Sequence, residues 1–308
     1  MQTLTSVLVV MDRGGGDLPL LAKAIALARA FGARLELFAC DAAHEYELEH
    51  TYDAQGREGA RQASVLDLRR YLQRLRDQVA AEKLAVSVDV ASESPLYEGI
   101  VRKIHASHPD LVLKSAVHDP ASRHSALSAN DWQLIRACPA PLLLGRGRAW
   151  RVPPCFAAAV DVSEAETPGL GAMILHTAAL LRAGCRGELE VLFGERSEAS
   201  EQDRAVHASS LRRLADDVHL DAGRVHFLTG DPVMAVAAKA AEQHYDVLVL
   251  GALTHRTQQA AALVGTLTHK LMETLDSDFI LIRPAGFVSR VPEPNQNVRP
   301  AQAIKDAP

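Results

Sequence analysis

An apolar run ends at Gly251 and continues through Ala252, Leu253 and Thr254; further on, Gly265 and Thr266 open a helix-like stretch that holds Leu271, Met272 and Leu275. Glycines after a strand let backbone N–H groups come close to a phosphate. A hydroxyl residue at a helix N-terminus adds a donor where the helix dipole favours an anion. The spacing therefore suits phosphate binding. A plainer account is a strand-to-helix loop that uses glycine for its backbone geometry alone. Two better-known phosphate motifs are ruled out: no Gly-Lys-Ser/Thr occurs, and no G-x-G-x-x-G turn follows the first predicted strand of either half. With no G-x-S-x-G elbow and no serine, histidine and acid that assemble at strand ends, no catalytic residue is assigned.

Other polar clusters carry less. His118 and His124, with Asp119 and Arg123 beside them, stand in the loop after Lys114 and have the chemistry for an anion or a metal, yet their spacing matches no metal-ligand motif. His44 and His50 lie in the acidic run HEYELEH, which reads as a solvated charged loop. Cys40, Cys138, Cys155 and Cys185 form no C-x-x-C pair, so the thiols suggest neither a zinc knuckle nor a redox centre. No metal site is expected.

The elements that would position the Gly251–Thr266 loop recur twice. DLVLKSAV from Asp110 resembles DVLVLGAL from Asp246, each with a histidine two residues ahead of the aspartate, His108 and His244. LARAFGARLELF from Leu27 matches LLRAGCRGELEVLF from Leu180, read as a helix, a C-cap glycine (Gly32, Gly184) and a strand. LIRACPAPLLLGR from Leu134 matches LMETLDSDFILIR from Leu271, where a helix stops and a last apolar strand runs to an arginine. Strands are predicted at 6–11, 34–40, 85–90, 110–114 and 141–144, and again at 156–160, 188–193, 224–228, 246–250 and 279–282. Val65, Leu68, Leu72, Leu75 and Val79 form the buried stripe of a long helix, with Arg69, Arg70, Arg74 and Arg76 off it as a solvated face.

Such alternation predicts an α/β protein of two tandem Rossmann-like domains, each a five-stranded, mainly parallel sheet with helices on both faces. Ligands of this fold class sit beyond the carboxyl ends of the strands. The domains are expected at 1–147 and 154–285. Residues 145–154, rich in Gly, Pro and Arg, read as the linker, and 286–308 as a proline-containing disordered tail outside any core. The length of 308 residues suits two domains, and 48% apolar with 23% charged residues is ordinary for a soluble globular chain. A net charge of −5 argues against nucleic acid as a partner. Neither a membrane span nor a signal peptide is read, so the expected location is the cytoplasm.

At this point the sequence resembles the universal stress protein family, over residues 4–147 and 154–285. Nucleotide-binding members of that family show G-x-x-G, nine residues, then G-[S/T] after the fourth strand, with an aspartate ending the first strand. The resemblance places Asp161 at the adenosine part of ATP, and Gly251, Thr254, Gly265 and Thr266 on the phosphate loop. Thr254 departs from the pattern, standing where the family has its second glycine, and ten residues separate it from Gly265. The loop after Lys114 has no glycine before Cys138, so ATP is expected in the second half only. Asp131 and Trp132, with Leu134, Ile135, Arg136, Cys138 and Pro139, look like the first domain of the tandem E-type members. The resemblance implies a fold of the adenine nucleotide alpha hydrolase-like class, an intramolecular pseudo-dimer of the two domains, and a stress-response role through a small ligand and protein partners. Two alternatives stay open: a weak ATPase or adenylyl-handling enzyme, and a scaffold or lipid-like ligand binder without nucleotide.

Overall fold

The computed structural model describes residues 3–41, 54–116, 127–163, 166–254 and 263–293. The first half runs β1 (Ser6–Val10), α1 (Asp17–Phe31), β2 (Arg34–Asp41), α2 (Ala54–Ala81), β3 (Val86–Ser92), α3 (Leu96–Ser107), β4 (Leu111–Ser115), α4 (Ala129–Ala137) and β5 (Leu142–Gly145). The second repeats it as β6 (Cys155–Ala159), α5 (Leu170–Cys185), β7 (Glu188–Arg196), α6 (Glu201–Asp217), β8 (Val225–Gly230), α7 (Pro232–Gln243) and β9 (Val247–Gly251). It then adds β10 (Leu253–Thr254) and β11 (Leu263–Val264) before α8 (Thr266–Thr274) and β12 (Asp278–Ile282). All ten strands read from the apolar runs are present within a few residues of their expected bounds.

Each half has the doubly wound order, β3-β2-β1-β4-β5 and β8-β7-β6-β9-β12, with parallel neighbours throughout. The two sheets merge: β5 and β12 pair antiparallel, with Leu142 opposite Leu281 and Leu144 opposite Phe279, giving one ten-stranded sheet. Both strands are wholly buried, so neither could remain an open edge without exposing an apolar row and a line of unpaired amides. Side chains alternate across the sheet. Val7, Val9 and Met11 meet α1 and α2 in a core that also takes in α5 and α6. Leu8 and Val10 face a second core with α3, α4, α7 and α8. The buried stripe of α2 comprises Leu68, Leu72, Leu75 and Val79, with Val65 only partly covered.

The repeated histidine and aspartate before the fourth strands have a structural role. His108 and His244 end α3 and α7 in the left-handed conformation. Asp110 then accepts from the amides and hydroxyls of Thr5 and Ser6 at the start of β1. Asp246 accepts from the Cys155 amide and from the amide and Nε of Arg151, which anchors residues 145–154.

Two expectations need correction. Gly32 ends α1 with positive φ, but Gly184 lies inside α5, and Arg186 supplies the left-handed end. A Cβ at 184 would fall 2.1 Å from the Phe31 ring, so the glycine lets α5 of one half approach the end of α1 of the other. The chain after Ala285 was expected outside any core, yet Val291 is 4% exposed in the second core layer, with Phe287 packed beside it. Ser289 Oγ donates to the Ala137 carbonyl, and His105 Nε2 lies 3.2 Å from the Val291 carbonyl. The apolar contacts are single residues without a period, which is why patterning does not reveal them. Truncating the chain after Pro284 is expected to lower unfolding stability by about 1.5–3 kcal/mol, the usual contribution of one buried aliphatic side chain, as read by urea denaturation. An unchanged midpoint would show that the segment adds nothing to the core.

Candidate functional site

The strand order reverses between β6 and β9, and the crevice above their carboxyl ends is where doubly wound folds bind ligands. Asp161 follows β6, Gly251 ends β9, and Gly265 is the N-cap of α8, with Thr266 as that helix's first residue. The His269 amide donates to the Gly265 carbonyl at 2.9 Å, and the buried Thr268 hydroxyl donates to the Gly251 carbonyl at 2.7 Å. The second bond sets the start of the helix against the end of the strand. The short β10–β11 hairpin, Leu253 opposite Val264 and Thr254 opposite Leu263, returns the chain from Gly251 to Gly265. Of the ten residues between Thr254 and Gly265, the last two form β11.

Asp161, Gly251, Gly265 and Thr266 line one cavity of about 130 Å³. Thr254 is placed by its backbone in the hairpin, and its side chain lies outside the described residues. Asp161 is exposed and accepts from the Ser163 amide through Oδ1 at 2.9 Å. Among the described residues the lining includes no lysine or arginine. An anion entering there would meet the free amides of the first turn of α8, which have no partner inside the helix, and not a cationic side chain.

Sequence reasoning missed two lining residues. Glu166 faces the cavity, and its carboxyl is pushed up by burial and by the neighbouring Asp161, while the Thr167 amide donates to it. The repeat held the signal: Asp17 follows Asp12 at the same interval as Glu166 follows Asp161. Gly194, in β7, also lines the cavity, and a Cβ there would lie 2.6 Å from Pro232 Cα at the start of α7. A glycine inside an apolar strand was the available sign of such an approach.

The equivalent place in the first half is filled from within. Lys114 stands where the second half has Leu250 and is 2% exposed. Its ammonium contacts Asp12, the counterpart of Asp161, and lies 3.3 Å from the buried Asp131. Burial opposes the charge, but the two carboxylates outweigh it and the lysine pKa is raised. Asp131 also completes the capping box of α4 with Ser128, so the Asp131-Trp132 stretch joins a helix start to the buried ion cluster. Trp132 stacks on His269 of α8 with ring centroids 4.7 Å apart, which places it against the other half. His44, His50, His118, Asp119, Arg123 and His124 lie outside the described residues, and among those described no group of three metal-ligating side chains forms. No described helix is long and apolar enough to cross a membrane.

Comparison with known proteins bears on both halves. The sequence model of the universal stress protein family matches residues 3–146. Universal stress protein E of Salmonella typhi is 22% identical over 309 residues, spanning 94% of this chain and 98% of its own. A Pseudomonas aeruginosa UCBPP-PA14 protein solved as a candidate universal stress protein superposes with a TM-score of 0.71 at 24% identity, over 92% of this chain and 94% of its own. A universal stress protein from Archaeoglobus fulgidus DSM 4304 gives 0.70 at 10% identity, over 90% of this chain and 98% of its own. Those two structures support the fold, a large and mostly parallel Rossmann-like α/β sheet spanning both halves. The match of residues 3–146 shows a universal stress protein domain in the first half, and the whole chain is similar over nearly its full length to universal stress protein E.

Proposed function

We propose that this protein is a cytoplasmic stress-response factor that binds ATP in its second half and acts through contacts with protein partners. The observation that carries the reading is the convergence of Asp161, Gly251, Gly265 and Thr266 on one cavity at the β6–β9 switch point. Residues far apart in the chain meet there in the arrangement a nucleotide needs, with a carboxylate for the hydroxyls or amine of the nucleoside and a helix N-terminus for the phosphates. Gly265 has an ordinary φ of −59°, so its value at the N-cap is the room it leaves. Glu166 supports the nucleoside end as a second carboxyl that lines the cavity beside Asp161. The first half supports the asymmetry, because Lys114 already neutralises Asp12 there.

A second reading, a scaffold or binder of a smaller ligand, is favoured by the size of the cavity. Its 130 Å³ falls below the roughly 300 Å³ at which whole drug-sized ligands are usually held.

Calorimetric titration of the full chain with ATP is expected to give one site per chain, with Gly265→Val weakening it by at least about tenfold through lost helix-end contacts. Equal affinity in that variant, or no binding by the parent chain, moves the balance to the second reading. Lys114→Met should lower unfolding stability by about 3–5 kcal/mol, because it removes a buried ammonium that faces both Asp12 and Asp131, while ATP affinity changes little. Loss of ATP binding in a folded Lys114→Met protein would instead place the nucleotide in the first half.

A further inference from the structure

The last strand of each half runs into an arginine, Arg146 after β5 and Arg283 after β12, and the two use their positions alike. Arg146 donates to the Met272 carbonyl in α8, and Arg283 Nε donates to the Cys138 carbonyl just past α4 at 2.9 Å, so each reaches into the other half. Each guanidinium also lies near an aromatic ring: Arg146 is 5.7 Å from the centroid of Phe279, and Arg283 is 4.5 Å from that of Phe287.

Their electrostatic settings differ. Arg146 is offset by the acidic groups of Asp276, Asp278 and Asp131. Arg283 is 6% exposed and forms no ion pair among the described residues, and its Nη1 is buried without a hydrogen-bond partner. Burial pulls its pKa down to about 10, still leaving a full positive charge at neutral pH. A buried cation without a counterion is costly, and folded proteins pair such groups.

Arg283 lines a cavity of about 170 Å³ between the halves, with Pro139, Pro141, Met173, Thr177 and Phe287 among its walls. The antiparallel register, Leu142 opposite Leu281, is what sets Pro141 beside the end of β12. The Thr177 hydroxyl gives its proton to the Met173 carbonyl, so Arg283 is the wall's cationic donor. We propose that this cavity binds a small monocarboxylate, its head on the Nη atoms of Arg283 and a short apolar body against the prolines, Met173 and Phe287. The planar fork of a guanidinium matches a carboxylate with two parallel hydrogen bonds. A second acidic group would find no second cation among the described lining residues, and the volume admits only a few carbon atoms beyond the head. The site is separate from the proposed nucleotide cavity and does not depend on that reading.

Titration calorimetry of the full chain with butyrate tests it, with butyramide, inorganic phosphate and chloride as comparison ligands. The expected result is saturable binding of one butyrate per chain, butyramide and phosphate at least about tenfold weaker, and unchanged ATP behaviour. Arg283→Met should abolish butyrate binding while the ligand-free melting temperature holds or rises, since an unpaired buried charge is removed. If that variant does not fold, Arg283→Lys, which keeps the charge and loses the fork, should bind butyrate at least about tenfold more weakly. Absence of saturable butyrate binding, phosphate or butyramide binding as tightly as butyrate, or a folded Arg283→Met protein that still binds it would overturn the proposal.

Discussion

Much of the arrangement depends on a carboxylate buried at the seam between the halves. Asp278, the first residue of β12, lies 2.6 Å from the ammonium of Lys23 on α1 and accepts from the Arg146 amide and the Trp150 indole N–H. Burial pushes its carboxyl upward, and Lys23 and the two N–H donors oppose that shift. One side chain thus ties β12 of the second half to a helix of the first and to the connecting segment. The β5–β12 ladder supplies area and backbone hydrogen bonds, while Asp278 ties its position to α1. A buried pair adds little net stability against an apolar replacement but is costly to break on one side, so its best-supported role is to specify one arrangement.

The duplicated plan shows how equivalent positions diverge once two halves share a sheet. The aspartate before the fourth strand keeps its task in both, clamping the start of the first strand of its half. The aspartate after that first strand does not. Asp12 is neutralised by Lys114, whereas Asp161 stays exposed beside a cavity. The terminal arginines differ as well: Arg146 lies among acids, and Arg283 has no ion pair among the described residues. For Asp12 and Asp161 one matched position, Lys114 against Leu250, decides whether the site is closed by the protein's own charge.

The strands were legible because each central one is buried on both faces and so reads as a short unbroken apolar run, from Val7 to Met11 or Val247 to Leu250. The convergence of Asp161, Gly251, Gly265 and Thr266 was legible because loops after parallel strands all open on the same side. What escaped depends on partners distant in the chain. The β10–β11 hairpin has two residues per strand, too few for a period. Gly184 answers to Phe31, and Val291 to the second core layer. Glu166 was hidden by its conservative exchange for Asp17 across the repeat.

The two proposed sites share a strand end. Gly251 pairs with Ile282, and the Ala252 amide donates to the Ile282 carbonyl at 2.9 Å, so Gly251 of the proposed nucleotide site is one hydrogen-bonded step from the residue that precedes Arg283. Nearness of this kind is not coupling, which requires an element with two arrangements that both ligands bias. Here the link is a pair of buried strands whose side chains are packed on both faces. Close-packed interiors do not deform continuously. A ligand at either place would have to break the β9–β12 ladder to be felt at the other, and the same rigidity that positions both sites therefore keeps them energetically apart.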